Sequence, residues 1–297
     1  MKRWLIVVAF VVLTGAVLYY SERRKSEGRV GPEAALNVLA ETQREISRVP
    51  ARVTRLSDEE EISLGDALAS RYLQQPGWSD EGNRAIEKYM VSVGRRVTIH
   101  TRRRLDYRVH FIPDKNLVNA FALPGGHIFI SEGLFKLMKT EDQLAAVLGH
   151  EAEHIDHYHC NEKMALRNSA LSVLIGLPVE LFQAGYSKEQ ELEADRDGTA
   201  LAVMAGYSPQ GAIHMFQVFE NLEQQYVLKA SAPDQEFSQV AIQSLEGYFQ
   251  SHPSSQERER QIRAFIASKN WPASEERPLG IAAAKVATPT LNGDAGQ

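Results

Sequence analysis

Cysteine is nearly absent from this chain: Cys160 is the only one among 297 residues. A single thiol closes no intramolecular disulfide and builds no multi-cysteine metal site. A strong excess of one charge is also missing. Lysine and arginine number 33 against 38 aspartates and glutamates, a net charge of −5, so nothing in the balance points to nucleic acid as a partner. No internal repeat recurs. Long apolar runs are scarce as well. One, from Trp4 to Tyr20 and interrupted by Thr14 and Gly15, reaches the lower limit of the roughly 17–25 residues that a membrane-spanning helix needs. It reads as an N-terminal membrane anchor or a signal peptide over 1–20, with no lipobox cysteine. The anchor is favoured because the apolar run continues past the small residues Thr14 and Ala16 that could serve cleavage. Both flanks are basic, so charge leaves the orientation open.

What is present supports a folded domain, since hydrophobic residues make up 43% of the chain. Residues 21–55 are charged, broken by Gly31-Pro32 and Pro50, and read as a juxtamembrane linker with a short helix at 33–47. The body spans 56–270. Ser57 with Asp58-Glu59-Glu60 is an N-cap and acidic first turn opening a helix to about Gln74, and a second helix follows from Asp80 to Arg96. Tyr107 to Ile112 alternates like a half-buried strand. Ala120–Leu123 and His127–Ser131 flank Pro124-Gly125-Gly126 as a hairpin. Helices are expected at 132–138, 141–160, 187–205, 209–229 and 255–268, which makes the fold class α+β and mostly helical. The stretch 170–182 is apolar but broken by Gly176 and Pro178. Residues 271–297 lack periodicity and read as a disordered tail. Six arginines between Arg95 and Arg108 form a solvated basic face or a contact for anionic lipid head groups.

Within the 141–160 helix stands His150-Glu151-Ala152-Glu153-His154. Positions i and i+4 share a helix face, so both imidazoles can hold one zinc ion at about 2.0–2.1 Å. Glu151 lies about 100° round the helix, placed to take a proton from a zinc-bound water. Thr140 is the expected N-cap. A catalytic zinc needs a third protein ligand. The densest acidic helix downstream, Glu189 to Gly198, carries Glu191 and Asp195 at i and i+4. One can ligate while the other orients a ligand histidine, and the small Ala194 lets two helices approach. Cys160 reads as a small helix residue, or as a stray thiol ligand when zinc is lost.

These elements together resemble the HtpX/BepA-like, CAAX-endopeptidase-type zinc metallopeptidase family. Four motifs carry the resemblance, over roughly 57–265: His150-Glu151-x-x-His154; ExxAD as Glu191-Leu192-Glu193-Ala194-Asp195; Asn119-Ala120-Phe121-Ala122-Leu123-Pro124-Gly125-Gly126; and His252-Pro253 followed by Arg258. The resemblance implies a zincin-type fold with a small sheet beside the metal helix and one Zn(2+) per chain on His150, His154 and Glu191. It implies Glu151 as general base and Asp195 as the residue behind a ligand. It further implies that Asn119, Ala120, Phe121, Ala122, Leu123, Gly125 and Gly126 feed an edge strand that pairs with an extended peptide, an arrangement β-augmentation supports on its own grounds. His252 is then a resting fourth ligand, or His252 or Arg258 stabilises the oxyanion. His159 is read as lying behind a ligand or at the surface, along with His157. The expected activity is zinc-dependent endoproteolysis of extended or misfolded protein substrates, membrane-associated through the N-terminal segment, with the catalytic domain extracytoplasmic or periplasmic. The rival is a membrane-tethered zinc-binding scaffold or chaperone with little turnover. The chain departs from relatives that carry several membrane helices or a C-terminal tetratricopeptide domain.

Overall fold

The computed structural model describes residues 56–74, 81–161, 185–230 (backbone alone for 223–230), 252, 256–272 and 274–280, all within one compact unit, Arg55–Gln297. The expected anchor at 1–20, the linker at 21–55, the apolar stretch at 170–182 and the tail beyond 280 lie outside these residues. Among the described residues no helix is long and apolar enough to cross a membrane.

Helix α1 (Asp58–Leu73) opens where expected. The Ser57 hydroxyl accepts from the Glu60 amide and the Glu60 carboxylate accepts from the Ser57 amide, a reciprocal cap that satisfies two otherwise orphaned donors. Helix α2 (Glu81–Thr98) follows, then three strands: β1 (Arg108–Ile112), β2 (Ala120–Leu123) and β3 (His127–Ser131). The predicted hairpin is present as β2 antiparallel to β3, with Leu123 opposite His127. β1 adds to the other side of β3 in parallel register, giving the order β1-β3-β2 and leaving β2 at an edge among the described residues. The turn Pro124–Gly126 needs its glycines: Gly125 sits at φ 75 and Gly126 at φ 102. A Cβ on Gly125 would also lie 2.6 Å from the Ile62 Cα of α1.

Side-chain alternation along the strands sorts the core into two layers. Phe121, Leu123 and Phe129 pack with Leu68 and Ala69 of α1. Ala120, Ala122, Ile128 and Ile130 pack on the other face with Met90 and Val93 of α2 and with Leu144 and Leu148 of the metal-motif helix. That helix, α4 (Glu141–Asp156), follows the short α3 (Glu132–Leu137). Thr140 caps it as expected, its hydroxyl accepting from the Gln143 amide while the Gln143 carbonyl accepts from the Thr140 amide. It stops at Asp156 rather than running on to 160, because the Asp156 carboxylate accepts from the Arg102 and Arg103 amides and Tyr158 turns to φ 63 beneath the Arg103 guanidinium. The arginine cluster keeps the expected solvated face at Arg95, Arg96, Arg102 and Arg104, while several of its members pair with carboxylates: Arg102 with Glu153 and Asp156, Arg103 with Asp58 and Glu61, Arg108 with Asp66, and Arg96 with Glu141.

Helices α5 (Lys188–Met204), α6 (Gln210–Ala230) and α7 (Gln256–Ser268) complete the described body. Residues 274–280, which composition placed in an unstructured tail, lie along the start of α4. The Glu141 amide donates to the Arg277 carbonyl (2.7 Å), the Thr140 hydroxyl donates to Glu276, and Pro278 bridges Thr140. These partners lie 136 or more positions apart in the chain, a pairing that composition does not signal.

Candidate metal centre

Helices α4 and α5 cross at two glycines. A Cβ on Gly198 would stand 2.6 Å from the Gly149 carbonyl carbon and from the His150 nitrogen; one on Gly149 would stand 2.4 Å from the Gly198 oxygen. The backbones therefore touch directly, and His150 and His154 are brought face to face with Glu191 and Asp195. Ala194 is fully buried, as its small size suggested, but the closest approach belongs to the glycine pair. α5 is itself set by a capping box, Ser187 with Gln190.

His150 Nε2 lies 3.1 Å from His154 Nε2 and 3.2 Å from His252 Nδ1. His252 Nδ1 lies 3.0 Å from Glu191 Oε1, and both His150 and His154 approach Glu191 at 3.5 Å. Four potential ligands from three separate segments thus converge, their donor atoms all within 4.8 Å of one another. All four are buried. Burial pulls the His154 pKa well below its ordinary value. Burial pushes Glu191 upward, but the charges of His252 and Arg258 outweigh it and hold this carboxyl well below the usual range. Neutral imidazole and ionised carboxylate are the forms a metal ion takes.

Around these donors stand the remaining expected residues. Asp195 Oδ1 is 3.0 Å from His150 Nδ1, and Arg258 donates to both Asp195 oxygens at 2.7 Å. The same guanidinium reaches Glu191 Oε2 at 2.7 Å, so it bridges the two carboxylates of α5. Burial raises the Asp195 pKa, and the Arg258 charge and hydrogen bonds reverse this to leave it lowered. Glu151 is 1% exposed, with Oε1 3.4 Å from His252 Nε2. It borders a cleft whose apolar wall is Ala146, Val147, Ala212, Met215, Phe216 and Phe219. β2 packs beside α4. The Asn119 side-chain amide is buried with neither its oxygen nor its nitrogen hydrogen-bonded, while its backbone is pinned by Ser131. Gly125 and Gly126 form the turn, gripped by α1 through the Glu61 carboxylate, which accepts from the Gly125 amide (3.0 Å), from Asn161 (2.8 Å) and from Arg103.

Tyr186 was not foreseen. Its ring stacks on His154, centroids 3.7 Å apart and planes 11° from parallel, and its hydroxyl lies 3.4 Å from the Cys160 sulfur. Its position directly ahead of the Ser187 cap was the one available signal. Cys160 is buried and outside the four-ligand cluster. His157 sits among Glu153 (3.1 Å), Asp197 (2.9 Å) and Glu193 (3.4 Å). His159 Nδ1 lies 3.0 Å from His154 Nδ1.

A family model described as peptidase family M48 matches residues 81–266. The chain is similar to mitochondrial metalloendopeptidase OMA1 of Schizosaccharomyces pombe, 30% identical over 54% of this chain and 47% of that protein. It is 29% identical to a putative beta-barrel assembly-enhancing protease of Vibrio cholerae, over 60% of this chain and 41% of the relative. It is 30% identical to metalloprotease LoiP of Escherichia coli, over 54% and 62%. The matches to these three thus span about half of each relative's length.

Proposed function

The chain belongs to peptidase family M48, and on that premise we propose that it is a zinc endopeptidase acting on extended or misfolded protein chains. The observation that carries the reading is the spacing of the donors. Four ligands about 2.0–2.1 Å from one tetrahedral ion lie roughly 3.4 Å apart; five of the contacts here, taken to one or the other Glu191 oxygen, run from 3.0 to 3.5 Å, and all four groups lie within 4.8 Å of one another. Two or three nitrogens with one carboxylate oxygen suit zinc better than a hard, oxygen-seeking cation. His150, His154 and Glu191 would hold it, and His252 would occupy the fourth place in a resting enzyme.

Bound there, the metal supplies Lewis acidity that polarises a carbonyl and lowers the pKa of water toward about 7. The protein supplies the rest. Glu151, beside the ligands, takes a proton from the attacking water and returns it to the departing amine. Asp195 accepts from His150 Nδ1 and keeps Nε2 free for the metal, with Arg258 holding Asp195 and Glu191 in place. The edge of β2, which no described strand covers, and the unsatisfied amide of Asn119 give an extended peptide backbone its hydrogen bonds. The apolar wall beyond Glu151 receives a substrate side chain.

We assign the N-terminal 1–20 segment as the membrane anchor, 56–270 as the peptidase domain, and the location as extracytoplasmic. The relatives' printed names, in mitochondria and in beta-barrel assembly, support envelope protein quality control. The scaffold alternative draws support from His252, which as a fourth ligand would take the position a water needs. Casein cleavage with and without a chelator separates the two. Glu151→Gln is expected to retain one zinc per chain and lose at least about 100-fold in cleavage; wild-type cleavage by this variant refutes the assignment.

A further inference from the structure

The two candidate ligand histidines of α4 are supported differently. His150 is backed directly by a carboxylate, Asp195. His154 is backed by another imidazole, His159, whose far nitrogen Nε2 lies 3.3 Å from Glu193 Oε2. We infer that His159 and Glu193 are positioning residues that fix the tautomer and ring plane of His154 for metal binding.

The argument is a count of protons. It rests on the reading that His154 ligates through Nε2, the atom that faces His150 and Glu191. A neutral imidazole that ligates through Nε2 carries its proton on Nδ1. His154 Nδ1 lies 3.0 Å from His159 Nδ1, and two N–H groups cannot share that gap. His159 Nδ1 is therefore the acceptor. Its own proton is then on Nε2, and Nε2 faces the Glu193 carboxylate. Each direction follows from the one before: His154 donates to His159, and His159 donates to Glu193. His154 is fully buried and His159 is 2% exposed, so water does not substitute for the link. Stacking on Tyr186 restrains the His154 ring from its face, and His159 restrains it in plane.

The same count bears on a competing use of these groups. His157, His159 and Glu193 present donor atoms close enough to hold a second ion. That ion would need the Nε2 lone pair of His159, which the chain to Glu193 occupies with a proton. Meanwhile His157 Nε2 is already engaged by Glu153 and Asp197. The positioning role therefore leaves no second ion at His157, His159 and Glu193.

The test measures zinc stoichiometry and affinity, by competition with a chromophoric chelator, for the wild-type chain, His159→Asn and His159→Leu. An asparagine carbonyl can stand where His159 Nδ1 stands and accept from His154; leucine cannot. Wild type should bind one equivalent. His159→Leu should bind it about 10–100-fold more weakly, and His159→Asn within about threefold of wild type. Thermal melts of the metal-free proteins should place the two variants together, since a purely packing role would not distinguish acceptor from non-acceptor in metal affinity alone. Should His159→Leu not fold, ¹⁵N-histidine spectra of the zinc-loaded wild-type protein read the tautomers directly: His159 protonated on Nε2 and bare on Nδ1. A His159 protonated on Nδ1, or wild-type zinc affinity in His159→Leu, overturns the inference. So does a second equivalent in wild type that His159→Leu loses, which would make His159 a ligand. A wild-type chain that binds no zinc would instead bring down the ligand assignment itself, and the inference with it.

Discussion

Replacing Gly198 by alanine tests whether the α4–α5 crossing sets the metal site. In an ordinary helix interior, glycine to alanine gains about 1 kcal/mol of intrinsic stability. Here the new Cβ would stand 2.6 Å from backbone atoms of Gly149 and His150. Carbon contacts settle at about 3.5–4.0 Å, so the helices must part by roughly 1 Å. The atoms that the new Cβ meets are all backbone, so no side chain can rotate away. Overpacking costs about 1–3 kcal/mol, and the upper end applies. Less the propensity gain, the net loss is about 2 kcal/mol, or about 4–8 °C in Tm for a domain of this size. His150 and His154 ride on one helix and Glu191 on the other, so the same displacement separates ligands. A misplacement of that scale costs about 100-fold in activity. Differential scanning fluorimetry, zinc titration and casein cleavage read the three effects. A variant that melts higher than wild type, with unchanged zinc affinity, would show that the crossing is loose and that the reasoning fails.

Glu191→Ala should lower zinc affinity by more than about 100-fold, because it removes a ligand and leaves Arg258 beside an emptied position; metal content after dialysis checks this. His252→Ala should keep zinc on three ligands and raise casein cleavage, as expected of a resting ligand; a fall would move His252 into contact with the reacting carbonyl, and no change would remove it from both roles. Burial lowers the His157 pKa, but hydrogen bonds to Asp197 and Glu153 outweigh it and lift the value to about 9. Its contribution is therefore complete below about 6.5, the unfolded value, and fades as pH rises through about 9. Wild type should exceed His157→Gln by about 2–3 kcal/mol at pH 6 in urea unfolding, with the gap narrowing toward pH 10.

The parts of the site that are local in sequence were legible. His150 and His154 share a helix face by spacing alone, Thr140 announces the cap, and the glycines of the 124–126 turn announce the hairpin. Residues distant in sequence came through the resemblance: Glu191 and His252 have no local pattern that ties them to His150. What stayed hidden depends on tertiary approach. Nothing in Tyr107–Ile112 says that the strand runs parallel to β3, because parallel pairing leaves no turn to read. Gly149 and Gly198 look like weak points in two helices, and only their mutual contact gives them meaning. The arginines after Arg95 suggested a basic surface, and Arg96, Arg102 and Arg104 are exposed there; what spacing did not show is a carboxylate partner more than forty positions away, as with Arg103 and Glu61.

The contact between Thr140 and the 276–278 segment has a further consequence. Thr140 and Glu276 are 136 positions apart, and all four donor residues fall between them. The chain is thus closed into a ring by noncovalent bonds, with the metal donors strung along its circumference. Loop-closure entropy grows slowly, about 0.6 kcal/mol for each doubling of length, so insertions along this ring cost little so long as the closure holds. A protease cut between α4 and α5 would leave two pieces still joined at the closure and across the α4–α5 crossing. Covalent integrity and activity would then be lost at different times, and the last residues of the described fold would govern the interval between them.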